Sequence, residues 1–220
     1  NYSFIFNFRN GGILVEYIDI SMTVETNMPV YKGRKEKKPE FNLLSDFNTG
    51  EAQVTEVKMD LHTGTHVDAP RHMLEDGKNI DHFNFEEILT PCKVLDLTEV
   101  EAKITAKDLQ KFMIKNDDFL LFKTQNSFKN MPQNFIYLEE SGADLLVEKG
   151  IKGVGIDYLG IERSQPGHPT HKKILSNEIT LIEGLVLKDV DPGKYKLILT
   201  PLKIKEVEAA PARVFLAQDV

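Results

Sequence analysis

The segment from Tyr137 to Asp157 constrains the fold of this chain more than any other. Tyr137-Leu-Glu-Glu-Ser-Gly-Ala-Asp-Leu-Leu-Val-Glu-Lys149 reads as a helix, and Gly150 follows as its stop. The short apolar run Gly153-Val-Gly-Ile-Asp157 comes next and reads as a buried strand. Helix, glycine, strand is the rhythm of an α/β layer architecture. Other runs extend the sheet: Val15–Ile20, Lys93–Leu97, Phe119–Lys123, Ile179–Glu183, Tyr195–Leu199 and Arg213–Ala217. Gln53–Leu61 alternates apolar and polar residues, the period of a strand. Thr105-Ala-Lys-Asp108 has capping-box spacing and predicts a helix whose apolar stripe is Leu109, Phe112 and Met113. Residues 21–50 are irregular, with Pro29, Gly33, Pro39 and Gly50 as punctuation. The sum is a strand-rich α/β chain with two or three helices.

A length of 220 residues suits one such domain with a large core. We place it at residues 15–220. The segment before it, residues 1–14, is expected to be an extension outside the fold. It has no basic region ahead of its apolar part and no small-residue cleavage site, so it does not read as a signal peptide.

The net charge of −7 gives no basic footprint for nucleic acid, and no stretch approaches the ~20 apolar residues of a membrane span. Neither partner is expected. A basic run does occur at Lys32-Gly-Arg34-Lys35-Glu-Lys37-Lys38 and reads as a solvated loop rather than a binding patch. Cys92 is the lone cysteine, so no intrachain disulfide forms. It sits at the entry to an apolar strand, the setting of a small buried hydrophobe rather than a nucleophile. With no export signal, the expected compartment is the cytoplasm.

Chemistry concentrates in His62-Thr-Gly-Thr-His66-Val-Asp68-Ala-Pro-Arg-His72, which holds three of the six histidines. Gly64 and Pro70 argue against a helix, so the segment reads as a strand end turning into a loop. On extended chain His66 and Asp68, two apart, point the same way. Imidazole nitrogen and carboxylate oxygen are ligands shared by zinc, manganese and iron. His72 is close enough to be a further ligand or a proton carrier. A closed structural zinc site favours cysteine ligands, whereas histidine and carboxylate suit an open catalytic site. A divalent ion there makes hydroxide available near neutral pH, because bound water has a pKa of about 7.

The same segment resembles the signature of the cyclase-like metal-dependent hydrolases, the family of bacterial kynurenine formamidase and isatin hydrolase. The resemblance continues through Asp19-Ile-Ser21, Met28–Tyr31, Gly153–Glu162, His171, Ile182–Leu185, Pro201-Leu202 and Ala210–Arg213. It therefore runs from about residue 17 to the C-terminus. It implies a swivelling β/β/α single domain, a homodimer or homotetramer, and one or two divalent ions per chain, zinc or manganese. Carried over by position, it implies His62, His66 and Asp68 as metal ligands, with Asp68 able to bridge two ions. It implies His171 and Glu183 as the rest of the metal shell, and His72 as the acid–base residue. His168, three residues before His171, reads as a loop residue near the mouth, and His82 as structural or surface. Relatives carry Tyr-Pro-Gly or Trp-Pro-Gly where this chain has Tyr31-Lys32-Gly33, and the chain has no Trp. This stretch is expected to wall the substrate pocket, with Tyr31 and Lys32 against the substrate.

The expected reaction is hydrolysis of a small amide, cyclic amide or ester by metal-bound hydroxide, arylformamidase-like. The alternatives are a metal-dependent cyclase or lyase on the same site, or a metal-binding member without activity. A serine hydrolase is not indicated, since no Gly-x-Ser-x-Gly elbow occurs.

Overall fold

Four of the apolar runs become neighbouring parallel strands, and this explains why they lack clean alternation. A strand covered on both faces has no solvent side to mark with polar residues. The computed structural model describes residues 5–10, 13–129 and 133–219, which form thirteen strands and three helices. The strands are β1 (Ile5–Asn10), β2 (Ile13–Asp19), β3 (Glu40–Ser45), β4 (Val54–Lys58), β5 (His66–Asp68), β6 (Leu89–Asp96), β7 (Lys103–Ile104), β8 (Phe119–Lys123), β9 (Tyr137–Leu138), β10 (Gly153–Ile156), β11 (Thr180–Glu183), β12 (Gly193–Pro201) and β13 (Ala209–Asp219). The helices are α1 (Ala106–Leu109), α2 (Glu140–Glu148) and α3 (Pro169–Ser176).

The main sheet runs β1-β2-β13-β12-β6-β8-β10-β11-β5, and β5 pairs back onto β13. That last pairing closes the sheet into a barrel. β6, β8, β10 and β11 are mutually parallel, and the other pairings of the sheet are antiparallel. Along β8 the faces alternate. Phe119 and Leu121 pack inside the barrel with Val94, Ile182, Leu197 and Val214. Leu120 and Phe122 face the other way, onto Leu146 of α2 and Ile174 of α3. All four β8 residues are fully buried, and each contributes about 1.5–3 kcal/mol by leaving water. The result is the strand-rich α/β architecture with three helices that the sequence predicts.

Local expectations fare unevenly. The capping box at Thr105 is present, with Asp108 Oδ2 accepting from Thr105 N at 3.0 Å. The helix it starts is a single turn, however. Met113, expected on an apolar stripe, is 78 % exposed, because the chain leaves the helix after Leu109 and runs to β8. The helix expected over 137–149 begins at Glu140, since Tyr137 and Leu138 pair with β7 instead. The region 21–50 is not wholly irregular. β3 pairs with β4 in a separate antiparallel hairpin whose residues are almost all exposed. The alternation over 53–61 therefore marks a pleated hairpin off the core rather than a core strand. Within residues 1–14, positions 1–4 and 11–12 lie outside the described residues, and β1 pairs along β2 at the edge of the sheet.

Candidate metal centre

β5 is three residues long and has a barrel strand on each side. Glu183 of β11 lies directly across from His66, and Leu181 across from Asp68. On its other edge β5 pairs with Ala209–Pro211 of β13. Side chains of directly paired residues share a face, so the register alone sets Glu183 beside His66. Asp68, two residues on, joins them on that face.

The approach to β5 is built by a tight turn. Asp60 Oδ1 accepts from His62 N at 3.0 Å. Gly64 then takes a positive φ of 70°, where a side chain would be strained. Thr65 Oγ1 donates to Gly184 O at 2.5 Å and accepts from Met22 N at 2.7 Å. Gly184 is the other obligatory glycine. A Cβ there would stand 2.3 Å from Gly64 O, so the loop before β5 and the end of β11 approach too closely for any side chain.

Around this frame the predicted ligands converge. His62 Nδ1 is 3.0 Å from Asp68 Oδ1, and His66 Nε2 is 3.4 Å from Glu183 Oε2. His171 Nε2 is 3.2 Å from Glu183 Oε1 and 3.9 Å from Asp68 Oδ2. His72 lies beside His62, ring centroids 4.3 Å apart and planes inclined at 45°, and stands 5.8 Å from the His171 ring. The tautomers are fixed from outside. His66 Nδ1 meets the Gly64 carbonyl at 2.9 Å and His171 Nδ1 meets Glu162 Oε2 at 2.6 Å. Both partners accept only, so both Nδ1 atoms donate and both Nε2 atoms turn to the centre.

The electrostatics of the cradle follow from its buried acids and imidazoles. His66, Asp68, His171 and Glu183 are all buried. Burial opposes charge on every one of them. Even so, Glu183 and Asp68 raise the His66 ring to about 9, and Glu162, Glu183 and Asp68 raise His171 to about 10. In return the two rings hold Glu183 well below the usual carboxylate range against its burial. Two buried carboxylates need positive charge, which either imidazolium protons or a cation can provide. His66 Nε2 and both oxygens of Asp68 are buried without a hydrogen-bond partner. Orphaned acceptors of this kind in a His/carboxylate set fit a divalent ion. Among the described residues, the triads of ligand atoms lying within 4.8 Å of one another include His66–Asp68–Glu183 and His62–Asp68–His72.

His72 differs from the other rings. Burial holds it below its ordinary value, and the neighbouring His62 and His171 work in the same direction. It is neutral at pH 7 and lines a cavity of about 300 Å³ with Tyr31, His62, His171 and Glu183. Of the two residues expected against substrate, Tyr31 lines this cavity. Its hydroxyl is 3.1 Å from Ser164 Oγ. Lys32 is not part of the lining; its amine donates to Ser164 Oγ at 2.8 Å and so ties down a residue that is. His168 also lines the cavity, near the mouth as expected, its Nδ1 3.6 Å from Glu162 Oε2. His82 is exposed, as expected. Cys92 is buried in β6, and burial pushes its thiol up to about 12, which rules out a thiolate nucleophile at neutral pH.

Sequence reasoning gave no role to Glu162. Its side chain is buried and accepts from Thr170 N, His171 N and His171 Nδ1 at 3.2, 3.3 and 2.6 Å. It both starts α3 and aims His171. The only signal for it in the chain is its place nine residues before His171.

Known proteins agree with this architecture. Bacterial kynurenine formamidases match along most of the chain. That of Bacillus cereus is 28 % identical over 204 residues, covering 91 % of this chain and 97 % of its own length. A solved structure described as a predicted metal-dependent hydrolase from Bacillus stearothermophilus is 44 % identical, covers 92 % of this chain and 98 % of its own, and superposes with a TM-score of 0.84. Isatin hydrolase A from Labrenzia aggregata shares the fold at 22 % identity, with 92 % and 93 % coverage and a TM-score of 0.81. The sequence profile of the Cyclase family matches residues 18–163. That span is about two thirds of the chain and runs through β5 and the loops around it, and the chain belongs to the Cyclase family.

Proposed function

We infer that this chain is a metal-dependent hydrolase acting on carbon–nitrogen bonds other than peptide bonds, arylformamidase-like. The observation that carries the reading is the buried set of His66, Asp68, His171 and Glu183, of which His171 and Glu183 line a cavity of about 300 Å³. Kynurenine formamidases and a metal-dependent hydrolase among its relatives support the reaction class.

In this reading His62, His66 and Asp68 would hold a divalent cation, with His171 and Glu183 as the other residues that would bind it. The cation supplies Lewis acidity, which makes hydroxide available near neutral pH and stabilises charge developing on a carbonyl oxygen. His72, neutral and facing the cavity, takes a proton from water at its free ring nitrogen and returns it to the leaving nitrogen. Tyr31 walls the substrate cavity, and Lys32 keeps Ser164 in place beside it. Glu162 keeps His171 Nε2 pointed inward. Zinc is the ion we assign, with manganese as the alternative. A homodimer or homotetramer in the cytoplasm completes the proposal. The substrate is a small amide, cyclic amide or ester, which a cavity of this size suits.

The test is elemental analysis of protein purified without chelator, followed by assays on aryl formamides, cyclic amides and esters in ¹⁸O-water. One to two equivalents of metal and one labelled oxygen in the product carboxylate are expected. Turnover with no label in product would replace hydrolysis with a cyclase or lyase reaction. Protein that neither contains nor takes up zinc or manganese would end the metal-centre reading.

A further inference from the structure

The basic run at residues 32–38 does not simply face solvent. Behind the catalytic cavity lies a second, larger one of about 610 Å³, and Lys35 and Lys38 line it. Two further lysines reach the same space from distant parts of the chain, Lys129 after β8 and Lys188 after β11. None of the four has a carboxylate within ion-pair distance among the described residues, whereas Lys37 of the same basic run pairs with Asp60 at 2.9 Å.

Asp157 is the one carboxylate in the lining. It offers nothing to the lysines, because its oxygens are occupied by Thr124 N and Oγ1 and Ser127 N and Oγ, at 2.6–3.2 Å. Burial moreover raises it toward the neutral form. Glu36, which interrupts the basic run, is not part of the lining. The floor is apolar, with Met28 and Leu185 buried beneath it. In a chain of net charge −7, four ammonium groups drawn from three segments around an apolar floor make a local excess of positive charge.

We propose that this cavity binds a small amphipathic anion, an apolar body resting on Met28 and Leu185 with a carboxylate or sulfonate head among Lys35, Lys38, Lys129 and Lys188. Pro29, Val30 and Leu159 line both cavities, so the ligand sits on the far side of the wall from the metal centre. The site is independent of the reaction assigned to that centre.

The test titrates the metal-loaded protein with 1-anilinonaphthalene-8-sulfonate, read by fluorescence. Saturable binding is expected, weakened by about tenfold or more in the pair Lys129→Glu/Lys188→Glu. The pair Lys194→Glu/Lys196→Glu, on exposed β12 positions, makes the same change in net charge and is expected to leave affinity unaltered. Melting temperature and hydrolysis rate report that each variant is folded. Equal weakening by both pairs would reduce the effect to overall charge and overturn the proposal. So would affinity unchanged by the first pair. Dissociation of an oligomer by the first pair, with no probe bound to the parent protein, would assign the lysines to a subunit interface instead.

Discussion

Glu162→Gln is the most informative substitution in this protein. Glu162 Oε2 accepts from His171 Nδ1 at 2.6 Å and from His171 N at 3.3 Å, while Oε1 accepts from Thr170 N at 3.2 Å. Gln keeps the volume but has one acceptor. With its oxygen toward His171, the imidazole contact survives as a neutral bond, and the amide NH₂ then faces Thr170 N–H. A charge-assisted hydrogen bond is roughly twice as strong as a neutral one, so about 1–1.5 kcal/mol is lost at His171. A further ~1 kcal/mol of stability goes with the Thr170 bond at the start of α3. The first loss falls on metal binding, because Glu162 sets both the tautomer and the basicity of His171. An affinity about tenfold weaker follows, within the 10–100-fold typical of such partners. Competition against a chromophoric chelator measures it, and the melting temperature without metal reads the helix contribution separately. Metal affinity within twofold of the parent would refute the claim that Glu162 acts through His171. A loss confined to melting temperature would reduce it to a helix cap.

Other expectations follow from the same geometry. Asp68→Ala removes metal and activity together, since both of its oxygens face the centre without other hydrogen-bond partners; a metal-free but active variant would contradict the arrangement. His72→Ala lowers kcat by roughly 10²–10⁴ while metal content stays at the parent value, and loss of metal instead would make His72 a ligand. The rings of His66 and His171 stand at about 9 and 10 in the ion-free centre. At pH 7 a metal must therefore displace their protons. Apparent affinity rises with pH and levels off above those values, falling at least about tenfold for each unit of acidification near neutrality; isothermal titration at pH 6, 7 and 8 checks the slope. Deleting residues 1–13 strips the edge strand β1 from β2 and so lowers the melting temperature, while hydrolysis is unchanged because no metal-centre residue lies in it; a thermal scan and a steady-state assay read the two.

What the chain discloses depends on how far apart its partners lie. His66 and Asp68 are legible because extended chain puts alternate residues on one face, and β5 provides that. Phe119–Phe122 is legible as a doubly covered strand from its unbroken apolar run. Glu183 is not legible locally, because its neighbour His66 comes from a remote segment through strand register; only the resemblance named it. Glu162 is invisible for a related reason, as its role arises where the turn after β10 meets the first residues of α3. The helix expected through Met113 fails because a capping box specifies where a helix starts and not how long it runs. The hairpin of β3 and β4 shows the opposite limit. Alternation reports a pleat, but a pleat far from the core carries the same pattern.

The short strand β5 has a consequence for how this enzyme comes into being. Both of its neighbours, β11 and β13, follow it by more than a hundred residues, and Thr65 is tied to Gly184 at a separation of 119. A chain emerging from the ribosome displays His62, His66 and Asp68 long before anything exists to brace them. Until the last strands dock, those groups have no fixed arrangement in which to meet Glu183 and His171. Choice of metal is thus deferred to the end of folding, when loop closure over long separations has been achieved. On the proposed reading, ion selectivity would belong to the finished barrel and not to the eleven residues from His62 to His72.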